Sequence, residues 1–247
     1  MIPCISVANM RESDRMTIAR FVPSLTLMYR AAMGVFLAAD WPEETVIAVG
    51  GGNNGGDGFA LACILKSRGK RCRVVTLSER LSADSAHFAE KAKSLGVAAQ
   101  PYEPGAFSNC DTIVDCLLGT GFSGSVREPY RSAIREMNAA PARKISVDIP
   151  SGMNGDTGAA ELAVRSDLTV TVGYVKTGLV AACAQPFIAR LVCADIGIVL
   201  DREESRLCTA EAWTEALAER SDIRLAPPWL DPAPIDVRGI SYEGAAP

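Results

Sequence analysis

The chain has 247 residues, 48% of them hydrophobic and 22% charged, with a net charge of −4 and an isoelectric point near 5.2. A chain of that length buries about 70% of the surface it would expose unfolded, so it folds without staples. The acidic balance, with no lysine or arginine block, excludes a broad surface for nucleic acid or an anionic membrane. Any phosphate it binds must be held locally.

The opening MIPCISVANMRESDR lacks the basic start and continuous apolar core of a signal peptide, and no run reaches the ~18 apolar residues that span a bilayer. A cytoplasmic protein with no membrane partner is expected. Residues 10–39 read as one or two helices, with Ser24 or Thr26 as a cap and Leu27, Met28, Ala31, Ala32 and Val35 as an apolar face. Short apolar runs rich in β-branched residues follow at 46–52, 73–77, 112–118, 145–149, 168–173 and 191–196 and read as buried strands. Helical patterns lie between them at 57–69, at 82–95 ending at Gly96, and at 128–139. This alternation predicts an α/β fold, a mostly parallel sheet covered on both faces. One domain over residues 1–220 is expected, with a last helix at 208–220 and a proline-rich tail at 221–247.

Residue types narrow the chemistry further. The eight cysteines are scattered, mostly in apolar segments, with no C-x-x-C pair, and read as buried free thiols. His87 is the only histidine and falls in a segment that reads as an exposed helix, so a histidine zinc site or a Ser-His-Asp triad has no basis. Carboxylates must do any acid–base work.

Three polar, glycine-rich blocks follow three of the strands. The first, GGGNNGGDG from Gly50 to Gly58, stands between a strand and a helix, where backbone N–H groups and a helix N-terminus approach an anion. Gly50, Gly52 and Gly55 also match G-x-G-x-x-G, a weak signal alone because tight turns use glycine for steric reasons. Asn53 and Asn54 add amides, and Asp57 adds a carboxylate that would repel a dinucleotide pyrophosphate placed at the helix start. The structural alternative makes Asp57 a helix cap and puts the asparagines in left-handed turns. The second block, DCLLGTGFSG, runs from Asp115 to Gly124, and the third, VDIPSGMNGDTG, from Val147 to Gly158. Ligands of parallel α/β sheets bind outside the carboxyl ends of the strands, so the three loops should converge on one site. Asn54, Asp115 and Ser151 supply hard oxygens that either hold a cation or form an ordinary hydrogen-bond network.

These blocks, in this order and at these intervals, resemble the NAD(P)H-hydrate epimerase family, also called the YjeF N-terminal domain. The resemblance covers about residues 8–198 and includes Met10, Arg11, Asp14, Leu27, Met28, Lys176, Gly178, Leu179 and Asp195 to Ile198. It implies a Rossmann-like three-layer sandwich, commonly a homodimer, that interconverts the R and S forms of hydrated NADH and NADPH (NAD(P)HX) for a separate dehydratase. By position it implies substrate contacts from Asn53, Asn54, Gly55, Gly56 and Asp57, from Gly119, Thr120, Gly121, Phe122, Ser123, Gly124 and Ser125, and from Asp148. It places a potassium ion on Asn54, Asp115 and Ser151. Asp148 is the expected acid/base or cation-stabilising residue for inversion at C6 of the hydrated ring. Tyr29 and Ala32 replace the acidic residue and glycine usual in the family, and the residues after Ile198 are too few for a fused dehydratase, so epimerase activity alone is expected. The competing readings are an NAD-dependent dehydrogenase with Glu79 on the ribose, and a scaffold or RNA-processing adaptor that has lost the site.

Overall fold

A computed structural model describes residues 3–42, 44–202 and 206–207. The expected helix at 208–220, the tail at 221–247 and Cys208 lie outside them. The chain runs β1 (Pro3–Ile5), α1 (Val7–Arg20), α2 (Ser24–Ala38), β2 (Glu44–Val49), α3 (Asn53–Ser67), β3 (Arg71–Thr76), α4 (Ala83–Ser94), β4 (Ala98–Pro101) and β5 (Thr112–Cys116). It continues through α5 (Tyr130–Ala139), β6 (Arg143–Val147), β7 (Leu168–Val172), β8 (Val175–Lys176), two 3₁₀ turns (Thr177–Val180 and Ala182–Phe187), β9 (Leu191–Ala194) and β10 (Arg206–Leu207).

Seven strands form one sheet in the order β4-β3-β2-β5-β6-β7-β9, and every pairing in it is parallel. A parallel sheet needs cover on both faces, and β2 shows how the sequence supplies it. Its Ile47 and Val49 pack with α2, α3 and α4, whereas Val46 and Ala48 pack on the other face with Ala133, Ile134 and Met137 of α5. The result is the expected three-layer α/β arrangement. From β2 the chain winds outward to β3 and β4, then returns across to β5 and winds the other way. The order therefore reverses between β2 and β5, and a crevice opens at their carboxyl ends.

Several expectations are corrected. The 10–39 segment is two helices broken at Pro23, and Pro23 is the residue before α2; neither Ser24 nor Thr26 caps it. The helix expected at 57 begins at Asn53, so Asp57 lies in its second turn and does not cap it. Asn53 and Asn54 are its first residues, not left-handed turn residues; among the described non-glycine residues only Asn109 and Asp148 have positive φ. A small second sheet, β10-β1-β8, was not expected. Tyr29 and Ala32 are buried in α2 within the core, so the departures at these positions fall in the interior. His87 is half-buried on α4, its ring edge-on to Phe88, rather than exposed. The cysteines of the described residues are free thiols; Cys4, Cys63, Cys116 and Cys193 are buried and Cys183 is exposed. No described helix is long and apolar enough to cross a membrane.

Helix α2 crosses the β7–β9 edge at a close approach: a Cβ built on Gly34 would lie 2.5 Å from Ala194 Cβ. Gly34→Ala should lower stability by about 1 kcal/mol, overpacking outweighing alanine's helical preference. Adding Ala194→Gly should restore most of the loss. Urea unfolding of the two single variants and the double variant measures this coupling.

Candidate functional site

The loop after β2 turns tightly against its neighbours. A Cβ on Gly50 would lie 2.0 Å from the Leu117 carbonyl oxygen, and one on Gly55 would lie 2.0 Å from the Gly50 carbonyl oxygen. Only glycine permits these approaches, and they set the N-terminus of α3 beside the loop after β5. Gly52 precedes the helix and offers no side-chain cap, so the first N–H groups of α3 are free for an anion.

The two loops after β5 and β6 are tied by one carboxylate. Asp115, fully buried on β5, accepts from Leu117 N (3.2 Å) and Ser151 Oγ (2.5 Å) at Oδ1, and from Ser151 N (2.8 Å) and Ser146 Oγ (2.9 Å) at Oδ2. Burial raises its pKa, and these hydrogen bonds oppose the rise. Ser151 Oγ also accepts from Leu118 N at 2.8 Å, and Asn54 Nδ2 donates to the Leu118 carbonyl at 3.0 Å. Asn54, Asp115 and Ser151, drawn from all three loops, are thus brought together. The other amide atom, Asn54 Oδ1, is buried and receives no hydrogen bond from the described residues.

Above this cluster lies a cavity of about 670 Å³, within the range of small-molecule sites. Asn53, Asn54, Asp57, Gly119, Thr120, Gly121, Phe122, Ser123 and Asp148 line it. Gly55 and Gly56 do not; they are buried beneath it, Gly56 against Met28 and Ser85. Gly124 and Ser125 are exposed and stand outside its wall, as does Glu79, the ribose ligand of the dehydrogenase reading.

Asp148 follows β6 with φ +68°, a conformation unusual outside glycine and found at functional sites when the surroundings hold it. What holds it is Lys176 on β8, only 1% exposed, whose Nζ donates to Asp148 Oδ1 at 2.5 Å, to the Val172 carbonyl at 2.6 Å and to Thr171 Oγ1 at 3.1 Å. Thr171 Oγ1 and Val172 N also reach Oδ1, each at 3.4 Å. Every donor among the described residues converges on Oδ1, leaving Oδ2 to the cavity that Asp148 lines.

Sequence reasoning did not place Lys176, Arg11, Asp14 or Asp84 in the site, yet all line the cavity. Arg11 donates from Nη2 to the Thr120 carbonyl at 2.5 Å and so fastens α1 to the loop after β5. Its spacing from Asp14, three residues along α1, was the available signal. For Lys176 the signal was a lysine inside the apolar run VGYVKTGLV, since a buried lysine must be paired. Four carboxylates, Asp14, Asp57, Asp84 and Asp148, share the cavity. Burial, followed by repulsion from Asp148 and Asp14, pushes Asp57 well above the usual carboxylate range. Asp14 is raised by burial and by Asp148.

The model of the family described as YjeF-related protein N-terminus matches residues 24–178. An NAD(P)H-hydrate epimerase of Limosilactobacillus fermentum is 37% identical over 201 residues, covering 77% of this chain and 95% of that protein. The bifunctional NAD(P)H-hydrate repair enzyme Nnr of Pyrobaculum aerophilum is 38% identical over 213 residues; the match takes in 81% of this chain and 42% of that longer protein. Among solved structures, yeast ynu0 shares the fold with a TM-score of 0.65 at 22% identity, covering 76% of this chain and 84% of its own.

The raised pKa of Asp57 has a consequence for stability. A carboxyl that holds its proton more tightly when folded stabilises the fold at acid pH, and loses that contribution as pH rises from its unfolded toward its folded value. Asp57→Asn, which cannot ionise, should therefore melt higher than the parent at pH 7, with the difference shrinking below pH 4. Thermal melts across this window provide the check.

Proposed function

The chain belongs to the YjeF N-terminal family, and from that premise we propose that it is an NAD(P)H-hydrate epimerase, an isomerase interconverting the R and S forms of hydrated NADH and NADPH. The observation that carries the reading is the cavity itself, where a free helix N-terminus, two loops of glycine and amide groups, and the Lys176–Asp148 ion pair meet at the switch point of the sheet.

The N-terminus of α3 and the loop 119–123 are suited to a phosphate, the first by its N–H groups and dipole. The substrate's hydroxyl stands on C6, beside the ring nitrogen. Loss of that hydroxyl as water gives a cation in which N1 shares its electron pair with C6, and return of water on the other face inverts the centre. Asp148, with Oδ2 turned to the cavity, is placed to stabilise this cation. Lys176 fixes the carboxylate's orientation through Oδ1. Arg11 holds the loop carrying Thr120 in place. In keeping with the family, the reaction would feed a dehydratase that restores the coenzyme.

The residues present fit a potassium ion. Asn54 Oδ1 is a buried oxygen without a donor among the described residues, with Ser151 Oγ and the Leu118 carbonyl nearby and the Asp115 carboxylate behind. An all-oxygen set with one carboxylate suits a singly charged cation. Asn54, Asp115 and Ser151 would hold it, and bound there it would supply positive charge for substrate oxygens. We also propose a homodimer, in keeping with the family.

Purified protein mixed with the two NADHX epimers should accelerate their exchange, faster with potassium than with a bulky organic cation in its place. Asp148→Asn should lose at least about 100-fold in rate with its melting temperature kept. Hydride transfer without exchange would favour a dehydrogenase, and neither activity a scaffold. Full exchange by Asp148→Asn would remove Asp148 from the chemistry.

A further inference from the structure

Asp57 has no evident structural task. It sits in the second turn of α3, past the positions where a carboxylate caps or faces the dipole most directly, and aspartate is a poor helix former. No hydrogen-bond donor among the described residues reaches it, in contrast to Asp115 with its four. It is half-buried in the wall of the cavity. Each of the other carboxylates there differs. Asp148 has Lys176, and Asp84 stands in the first turn of α4, where the helix dipole favours its charge. Asp14 comes from α1, outside the three loops.

Resting on the epimerase reading and deepening it, we propose that Asp57 is a second catalytic residue, the carboxylic acid that protonates the departing hydroxyl at C6, while Asp148 is the carboxylate that faces the resulting cation. The two share one cavity and interact directly as charges, yet their surroundings differ: one is bonded to a buried ammonium at 2.5 Å, whereas the other has no such bond and its like-charge neighbours outnumber the one opposing charge, Lys176. Carboxyls set apart in this way divide into acid and base. Burial, followed by repulsion from Asp148 and Asp14, raises the Asp57 pKa and so favours its protonated form.

The step balances within the site. The Asp57 proton goes to the C6 hydroxyl oxygen, the C6–O bond breaks with its electron pair leaving on water, and the N1 lone pair forms the second C6–N1 bond. Water then adds to C6 from the other face, the N1 pair returns to nitrogen, and the proton released by that water returns the Asp57/Asp148 pair to its starting count of one.

The groups that face Asp57 are Arg11 and Asp14 from α1, Asp84 from α4, Cys116 from β5, and the Asp148–Lys176 pair. Tyr130, the first residue of α5, also lines the cavity. A required acid makes kcat/KM fall as pH rises through its pKa. Wild type should show this alkaline limb, and Asp57→Asn should lose about 100-fold or more in kcat/KM, with NADHX binding retained and no alkaline limb. Asp57→Glu should recover part of the rate and the limb. Asp14→Asn should move the limb to lower pH, because removing a neighbouring negative charge lowers the Asp57 pKa. A folded Asp57→Asn enzyme with the wild-type rate and limb would overturn the proposal and leave the epimerase reading standing. A wild-type protein that exchanges no epimers would overturn both.

Discussion

The site depends on where one buried charge goes. Asp115 lies within the sheet at zero exposure, where an unpaired carboxylate would cost several kcal/mol. Four donors offset that cost, and they come from the end of its own strand, from β6 and from the loop after β6. Because Ser151 supplies two of them and also bonds Leu118, the same contacts fix the carbonyl that receives the Asn54 amide. Three loops that are far apart in sequence are thereby registered by a chain of short bonds, Asp115 to Ser151 to Leu118 to Asn54. The glycines follow from this, since loops held so closely leave no room for a Cβ at Gly50.

A second buried charge works by a different rule. Lys176 has no water to solvate it and spends its three N–H donors on Val172, Thr171 and Asp148. All of them fall near one carboxylate oxygen, which immobilises Asp148 in its left-handed conformation and leaves its other oxygen to the cavity. Removing the lysine would release both the strain and the aim. The short strand β8 that carries Lys176 pairs with β1, so the small sheet has a function in the site: it positions a cation behind the carboxylate.

Six of the seven strands of the main sheet were legible because they read as apolar runs, each found within two or three residues of its place; the edge strand β4, exposed along its length, was not. Strands β1, β8 and β10 were not, for two or three residues carry no period. The convergence of the three blocks was legible from chain order alone, since strand ends in a parallel sheet share one side. The start of α3 was not, because Asn53 to Gly56 have the composition of a loop; what makes them helical is tertiary, the clamp of Gly50 and Gly55 against neighbouring carbonyls. Contributions from α1 and β8 were missed for the same reason. Arg11, Asp14 and Lys176 come from segments that look like ordinary packing elements, and only the fold brings them to the cavity rim.

That early start of α3 changes what Asp57 is. A carboxylate at a helix cap is stabilised by the free N–H groups and competes with any phosphate for them. Moved one turn along, it leaves the N-terminus open to an anion and loses that stabilisation itself, while burial, and after it Asp148, Asp14 and Asp84, raise the cost of its charge. One helix then offers two opposite environments about one turn, or roughly 5 Å, apart. The first favours an anion, and the second favours a neutral acid. The proposed substrate, a phosphorylated nucleotide with a protonatable hydroxyl, would use both, and a fold that held Asp57 as a cap would have supplied neither.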